Sequence, residues 1–459
     1  MNLSLKDVKK LENAEIFFAE RLKGKKFNAV STDSRTVAEN NIFFALRGEK
    51  FDGHKFIGDV IGKKTAAVVV ESQWYQRNAG IVERSACSAV VVPDSTKALG
   101  ELAKIYRSKF SIPVLAVGGS NGKTTTKEMI SAVLNEKFRV LKTEGNFNNH
   151  IGVPLTLFRL TPRHEIAVLE FGTNHFGELK YLCDTAEPTH ALITNIGKEH
   201  LEFFGDENGV AQEETELFRS VAAKGFAFVN SDDSFLAAAG KKNRRTLRYG
   251  TTRSAEIRAA RIHVSESGQP AFTVVRRKRK DTMKVRLSVA GLHQVTNALA
   301  AVAVGTEFRV QKKKISQALE TFTATSKRME TITRNGIIIL NDTYNANPDS
   351  VITALKTLKA MKVKGKKVVV LADMLELGDK AEHEHAKIGL EVSNLDFEFL
   401  LTFGSLSRFT HEASKLAFAE HFDSKEELIA SLKSQLAPGD AVLVKGSRGM
   451  KMEEVVAQL

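Results

Sequence analysis

The chain has 459 residues and a formal charge of +13, from 67 Lys and Arg against 54 Asp and Glu. With 42% apolar and 26% charged residues it has the make-up of a soluble globular protein, which excludes a wholly disordered chain. Its length suggests roughly three domains, and its basic surplus points to an anionic partner: nucleic acid, a membrane surface or a phosphorylated small molecule.

Residues 28–31, 42–46, 66–71 and 89–92 read as short strands, with a helix over 54–63. This predicts a small α/β unit over 1–110, with 108–113 as a connector. An apolar strand at 114–117 then runs through a Gly-rich turn into a helix over 124–134. Buried strands follow at 166–170 and 191–195, so residues 111–322 should form a parallel sheet of βαβ units. From 246 to 289 the pattern turns antiparallel-like, with runs at 271–275 and 284–289, and a helix over 295–304 closes the segment. Residues 323–459 return to alternation, with strands at 336–340, 367–371, 397–403 and 441–444 and helices over 350–361 and 380–391. The expected class is α/β in three domains: a small N-terminal α/β domain, a central P-loop ATPase-like parallel sheet with an antiparallel extension, and a Rossmann-like C-terminal domain.

Cys87 and Cys183 cannot build a disulfide framework and read as buried free thiols of a reducing compartment. Residues 1–27 lack the apolar core of a secretion signal, and no run approaches the ~20 apolar residues of a membrane span. The expected location is the cytoplasm. The basic run 276–280 (Arg-Arg-Lys-Arg-Lys) is a candidate nucleic-acid patch, but strand-like flanks favour a solvated hairpin tip.

Gly118-Gly119-Ser120-Asn121-Gly122-Lys123-Thr124-Thr125 follows a strand and opens a helix. Backbone N–H groups in such a loop converge on phosphate oxygens, and the helix dipole assists. Lys123 would reach the β/γ-phosphates and a Thr hydroxyl would bind Mg2+. The loop is one residue tighter than the usual pattern, because Val117 stands where the first Gly belongs. Glu170 ends one strand and His200 follows the end of another, which puts both at the sheet edge where ligands bind.

Together, the loop, Glu170 in Leu-Glu-Phe-Gly-Thr-Asn-His and His200 in Glu-His-Leu-Glu-Phe-Phe-Gly resemble the Mur ligase family, ATP-dependent ligases of peptidoglycan synthesis. The segments 44–54, 145–154, 341–348, 371–378 and 444–448 resemble the branch whose substrates are a UDP-N-acetylmuramoyl-tripeptide and D-alanyl-D-alanine. The likeness extends over nearly the whole chain. It implies that ATP phosphorylates the tripeptide's terminal carboxylate and that the dipeptide amine attacks the acyl phosphate, giving an amide, ADP and phosphate. Mg2+ and Lys123 would offset the repulsion between the two anions.

By the same resemblance, Glu170 and His200 are metal ligands. His293 and Asn297 lie in a segment near the adenine, and Arg328 is an arginine that reaches the phosphates from the third domain. Asp342 occupies a ribose-side position, with Tyr344 and Asn347 nearby. Asp33, Ser34 and Arg35 resemble the uridine-diphosphate contact, and Asn148 and Asn149 the muramoyl contacts. Lys445 and Arg448 are cations suited to a substrate carboxylate. The family commonly carries a carbamoylated lysine where this chain reads Ala211-Gln-Glu-Glu-Thr-Glu-Leu-Phe218, and ungapped alignment puts Glu214 in its place. A glutamate supplies a similar charge with a shorter reach, so Glu214 is the expected substitute metal ligand, with Glu213 and Glu216 as alternatives.

Two other readings compete. A folylpolyglutamate-synthase-like or tripeptide-forming ligase would share the loop, but segments 145–154 and 344–348 argue against it. A nucleic-acid-dependent P-loop ATPase would use the basic surplus, yet one Trp and five Tyr leave no aromatic-interleaved basic groove. The resemblance leans towards a monomer.

Overall fold

The computed structural model describes residues 1–459 except Lys50, Ala222 and Arg279. Lys50 of segment 44–54 and Arg279 of the basic run therefore lie outside the described residues. The chain divides into two compact units, Met1–Ala116 with Phe138–Thr173 and Gly177–Thr189, and Val117–Lys137 with Asn174–Phe176 and His190–Leu459.

In the first unit a five-stranded sheet has the order Glu15–Phe17, Ser88–Val92, Ala67–Glu71, Ile42–Phe44, Val30–Ser31. The edge pair Glu15–Phe17 and Ser88–Val92 is antiparallel and the remaining neighbours are parallel. The Ala/Val runs at 67–70 and 88–92 are buried on both faces, as parallel strands under helices require. The sequence reading left helix Ser95–Arg107 unassigned. Asp94 starts it by accepting from the N–H groups of Thr96 and Lys97. At its other end buried Arg107 donates to the carbonyls of Ala186, Phe110 and Ile112, which fixes the connector at 108–113. Both cysteines are free and buried, and burial pushes the Cys87 thiol up to about 12, so it is unreactive as a thiolate.

In the second unit the first run of strands has the order Asp281–Arg286, Pro270–Arg276, Ile257–Val264, Thr246–Gly250, Phe226–Asn230, His190–Ile193. Only the Ile257–Val264/Pro270–Arg276/Asp281–Arg286 part is antiparallel. The expectation that the antiparallel part begins at 246 is thus corrected: Thr246–Gly250 is parallel to both its neighbours, because helix Ser234–Ala239 intervenes after Phe226–Asn230. Arg276, Arg277, Lys278 and Lys280 of the basic run do sit at a hairpin tip, yet not all of them are solvated. Arg276 is buried and donates to Asp281, whereas Lys278 stays exposed while pairing with Glu256 at 2.5 Å.

The last sheet has six strands in the order Glu330–Arg334, Ile337–Asp342, Ala441–Lys445, Lys367–Ala372, Phe399–Phe403, Phe418–Phe422. All neighbours are parallel except the first pair. Its two faces bury separate apolar clusters, one holding Leu355, Leu358 and Ile388, the other Leu428, Leu432 and Val455. Helix Pro348–Ala360 begins with a capping box between Asn347 and Ser350 and has Pro at its start, where a missing N–H costs nothing. Among the described residues no helix is long and apolar enough to cross a membrane.

His190 packs against the rings of Phe226, Phe228 and Phe308, and burial lowers its pKa to about 4, with Arg245 acting the same way. The unfolded chain therefore binds a proton near pH 6.5 that the folded chain refuses until about pH 4, so stability falls as pH drops through that window. His190→Phe should shrink the stability lost between pH 7.5 and pH 5 by about 1–2 kcal/mol. Denaturant midpoints at the two pH values test this, and equal losses in both proteins would count against it.

Candidate functional site

The Gly-rich turn 118–122 is built by two glycines with left-handed backbone, Gly119 (φ 110°) and Gly122 (φ 80°), ahead of helix Lys123–Asn135. It is held from outside by the segment after strand His190–Ile193. Ser120 N–H donates to the Asn195 carbonyl (2.9 Å) and Asn121 N–H to Asn195 Oδ1 (3.1 Å), while Asn195 Nδ2 returns a bond to the Asn121 carbonyl (2.9 Å). Gly197 N–H donates to Ser120 Oγ (2.9 Å). Thr124 and Thr125 are buried in the first helical turn. Asn195 did not emerge from the sequence as a site residue, although its position as a polar residue ending an apolar strand is the signal that singled out Glu170.

Lys123 Nζ lies 3.1 Å from Glu199 Oε2 and 3.3 Å from the Ser120 carbonyl. Glu214, fully buried, accepts the Gly119 N–H at 2.7 Å through Oε2. Burial first, and then the Glu199 charge, push the Glu214 carboxyl above the usual carboxylate range, against the pull of Lys123. The sequence singled out Glu214 as a substitute metal ligand, which the structure sets against the loop, and missed Glu199, the residue just before His200. Glu213 is buried too, whereas Glu216 pairs with Arg219 at 2.6 Å.

The residues around Glu199 reach the C-terminal sheet. Lys198 Nζ binds both oxygens of buried Glu384 (2.9 and 3.0 Å), and its N–H donates to Asp349 Oδ2 (2.8 Å). Burial works against the Lys198 charge, but Glu384 outweighs it and holds the pKa above its ordinary value. His200, in left-handed backbone (φ 48°), has Nδ1 2.6 Å from Glu376 Oε2. Asn347 Nδ2 donates to Asn121 Oδ1 at 3.0 Å, so the cap of helix Pro348–Ala360 touches the turn itself.

Asn297 accepts from Thr126 Oγ1 (3.2 Å) and donates to Gln294 (2.8 Å), and its Oδ1 would lie 2.9 Å from a Cβ at Gly122. His293 stands at the start of helix Gln294–Glu307, where burial lowers its pKa to about 4. Arg328 lies over the Tyr344 ring at 3.7 Å, with Arg448 at 5.8 Å from the same ring and ion-paired to Glu453 at 3.0 Å. Asp342 and Lys445 were read as separate ligand contacts. The structure pairs them with each other at 2.6 Å, with Asp342 also accepting the Met329 N–H and Lys445 also donating to the Asn345 carbonyl. Lys445 is only 2% exposed, because parallel register sets residues 342 and 445 side by side at adjacent strand ends.

The remaining residues lie in the first unit. Asp33 and Arg35 pair at 2.8 Å, and this bond holds the Asp33 carboxyl down at about 2; the Ser34 carbonyl accepts from Lys63. Asn148 Nδ2 donates to Glu170 Oε1 (3.0 Å), and Glu170 is 2% exposed. Asn149 Oδ1 accepts the N–H groups of Ile151 and Gly152, opening helix Gly152–Leu157.

Three family descriptions match the chain: Mur ligase family, catalytic domain, over 26–107; Mur ligase middle domain over 117–305; and Mur ligase, glutamate ligase domain, over 327–448. The chain is 37% identical to the UDP-N-acetylmuramoyl-tripeptide--D-alanyl-D-alanine ligase of Bacillus subtilis, with 94% of this chain and 93% of that protein covered. The Escherichia coli protein of the same name is 34% identical over the same shares. Among solved structures, MurF from Acinetobacter baumannii superposes with a TM-score of 0.90 at 29% identity, covering 100% of this chain and 99% of that one. MurF from Thermotoga maritima, in complex with ADP, gives 0.83 at 27% identity, covering 94% and 96%. The chain belongs to the Mur ligase family.

Proposed function

We propose that this chain is an ATP-dependent, ADP-forming ligase of peptidoglycan precursor synthesis that joins D-alanyl-D-alanine to a UDP-N-acetylmuramoyl-tripeptide. The observation that carries the reading is the phosphate-binding turn with Lys123 at its helix start, in a chain alike over 94% of its length to a ligase of that name. Residues 1–110 hold the uridine nucleotide, 111–322 the ATP, and 323–459 the incoming dipeptide. The enzyme works as a monomer in the cytoplasm.

A carboxylate resists attack by an amine because its charge repels the nucleophile and oxide is a poor leaving group. Transfer of the γ-phosphoryl group removes both obstacles. Backbone N–H groups of 118–122 and Lys123 hold the phosphates, and Arg328 adds a cation from the C-terminal part. His293 and Asn297 border the base, while Asp342, Tyr344 and Asn347 serve the ribose side. Arg448, exposed beside Glu453, faces a peptide carboxylate, with buried Lys445 holding Asp342 next to it, and Asp33, Ser34, Arg35, Asn148 and Asn149 face the nucleotide-sugar.

The donors at the loop fit Mg2+: Glu199 and Glu214 are buried carboxylates, each with an oxygen, Oε1, that has no hydrogen-bond partner among the described residues. The family resemblance assigns it to Thr124, Glu170, His200 and Glu214, although no three His, Cys, Asp or Glu side chains among the described residues gather into a ready-made cage. When bound, Mg2+ neutralises phosphate charge and polarises the γ-phosphoryl group. Glu214→Gln should lower turnover most at limiting Mg2+, and unchanged kinetics across an Mg2+ titration would remove Glu214 from the site.

The function is tested by phosphate release with ATP, Mg2+, muramoyl tripeptide and D-alanyl-D-alanine, omitting each in turn. All four should be required. Full turnover without the dipeptide would defeat the reading.

A further inference from the structure

Three charged groups, Lys123, Glu199 and Glu214, belong to or touch the phosphate-binding turn, and the family likeness gives a role to only two of them. Glu199 is 5% exposed and Glu214 is 0% exposed. Each spends one oxygen on the turn: Glu199 Oε2 on Lys123 Nζ at 3.1 Å, Glu214 Oε2 on the Gly119 N–H at 2.7 Å. The other oxygen of each, Oε1, is buried and has no hydrogen-bond partner among the described residues. Leaving a buried acceptor unsatisfied is costly, and so is burying two carboxylates against one turn that carries a single lysine. A divalent cation answers both problems, since it takes the orphaned oxygens as ligands and offsets the repulsion between them.

We propose that Glu199 and Glu214 are the protein half of a divalent-cation site that the phosphate oxygens of a bound nucleotide complete, Glu199 being a residue to which the family likeness gives no role. The inference rests on the reading of 118–125 as the nucleotide loop. Two carboxylates fall short of the six oxygens Mg2+ requires, and among the described residues no three His, Cys, Asp or Glu side chains gather to cage a metal. The site is therefore weak until a nucleotide supplies the missing oxygens. Glu199 has a second task in this arrangement. With Lys123 on one oxygen and the cation on the other, a single carboxylate fixes the lysine beside the metal, so both face the same phosphate.

The test is Mn2+ binding to the full chain, followed by the paramagnetic signal of free Mn2+, with saturating ADP and without nucleotide. ADP affinity is measured separately by calorimetry in EDTA. Wild type should bind Mn2+ at least about tenfold more tightly with ADP than without, and Glu199→Gln and Glu214→Gln should each weaken the ADP-dependent binding by about tenfold or more. Glutamine preserves an acceptor for Lys123 or for the Gly119 N–H, so ADP affinity in EDTA should stay within about threefold of wild type. Glu216→Gln, at the Arg219 pair, should bind Mn2+ as wild type does. Wild-type Mn2+ affinity in a Glu199→Gln protein that still binds ADP overturns the site. Wild type that fails to bind ADP overturns the nucleotide reading and the site with it.

Discussion

Lys123→Ala is expected to abolish ligation, with kcat down by at least about 10^3-fold, while the chain stays folded. The reaction brings together a carboxylate and a triphosphate, and at contact distance two like charges repel by about 4 kcal/mol at an effective dielectric near 20. Lys123 is the cation built into the turn, and alanine removes it without disturbing the helix it begins. The same change strands Glu199, whose partner is lost in a buried setting, and this should cost stability by about 3 kcal/mol. The double variant Lys123→Ala/Glu199→Gln separates the two effects: it should recover most of the lost stability and none of the turnover. Thermal melting and phosphate release measured on the same samples decide the matter. A single variant with normal turnover would show that the loop does not handle phosphate, and a double variant no more stable than the single would show that the Lys123–Glu199 pair carries no energy.

The contrast between Lys123 and Glu199 shows how far the sequence could be read. Lys123 lies in a local pattern, strand then Gly-rich turn then helix, and every part of that pattern is contiguous. Strands such as Ile166–Glu170 and Lys367–Ala372 were legible for the same reason, since unbroken apolar runs of that length fit buried parallel strands. Glu199 owes its place to a contact with a residue 76 positions away, and no local pattern encodes that. The pairing of Asp342 with Lys445 depends on the register of two strands 103 positions apart in their contacting residues. Lys198 and His200 meet Glu384 and Glu376 only because the C-terminal sheet brings those carboxylates to them. Thr246–Gly250 failed in another way: its alternation suits either strand direction, and the intervening crossover helix decides between them. Asn195 was within reach, since the strand-end argument applied to Glu170 covers it equally.

Gly119→Ala should be at least as damaging as the loss of Lys123, for a purely geometric reason. At φ 110° the residue occupies backbone space closed to L side chains. A Cβ there would lie 2.3 Å from Thr194 Oγ1, 2.7 Å from Thr194 N and 3.0 Å from the Asn195 carbonyl oxygen. The hydroxyl could rotate away, but the two backbone atoms cannot yield without shifting the chain end that clasps the turn. Thr194 N–H is bonded to the Gly118 carbonyl and the Asn195 carbonyl to Ser120 N–H, so the displacement breaks the clasp and carries the Gly119 N–H off Glu214. Strain plus several lost buried hydrogen bonds should cost upwards of about 4 kcal/mol, and ADP binding should disappear with the shape of the turn. Gly24→Ala is the matched control, since Gly24 has φ 74° with nothing within 4 Å of its virtual Cβ, so only the backbone term of about 1 kcal/mol applies. Melting curves and ADP titrations on the two variants isolate the packing term. A Gly119→Ala protein with the control's stability and wild-type ADP affinity would mean that the turn can be rebuilt around a side chain, and that its shape is not what selects phosphate.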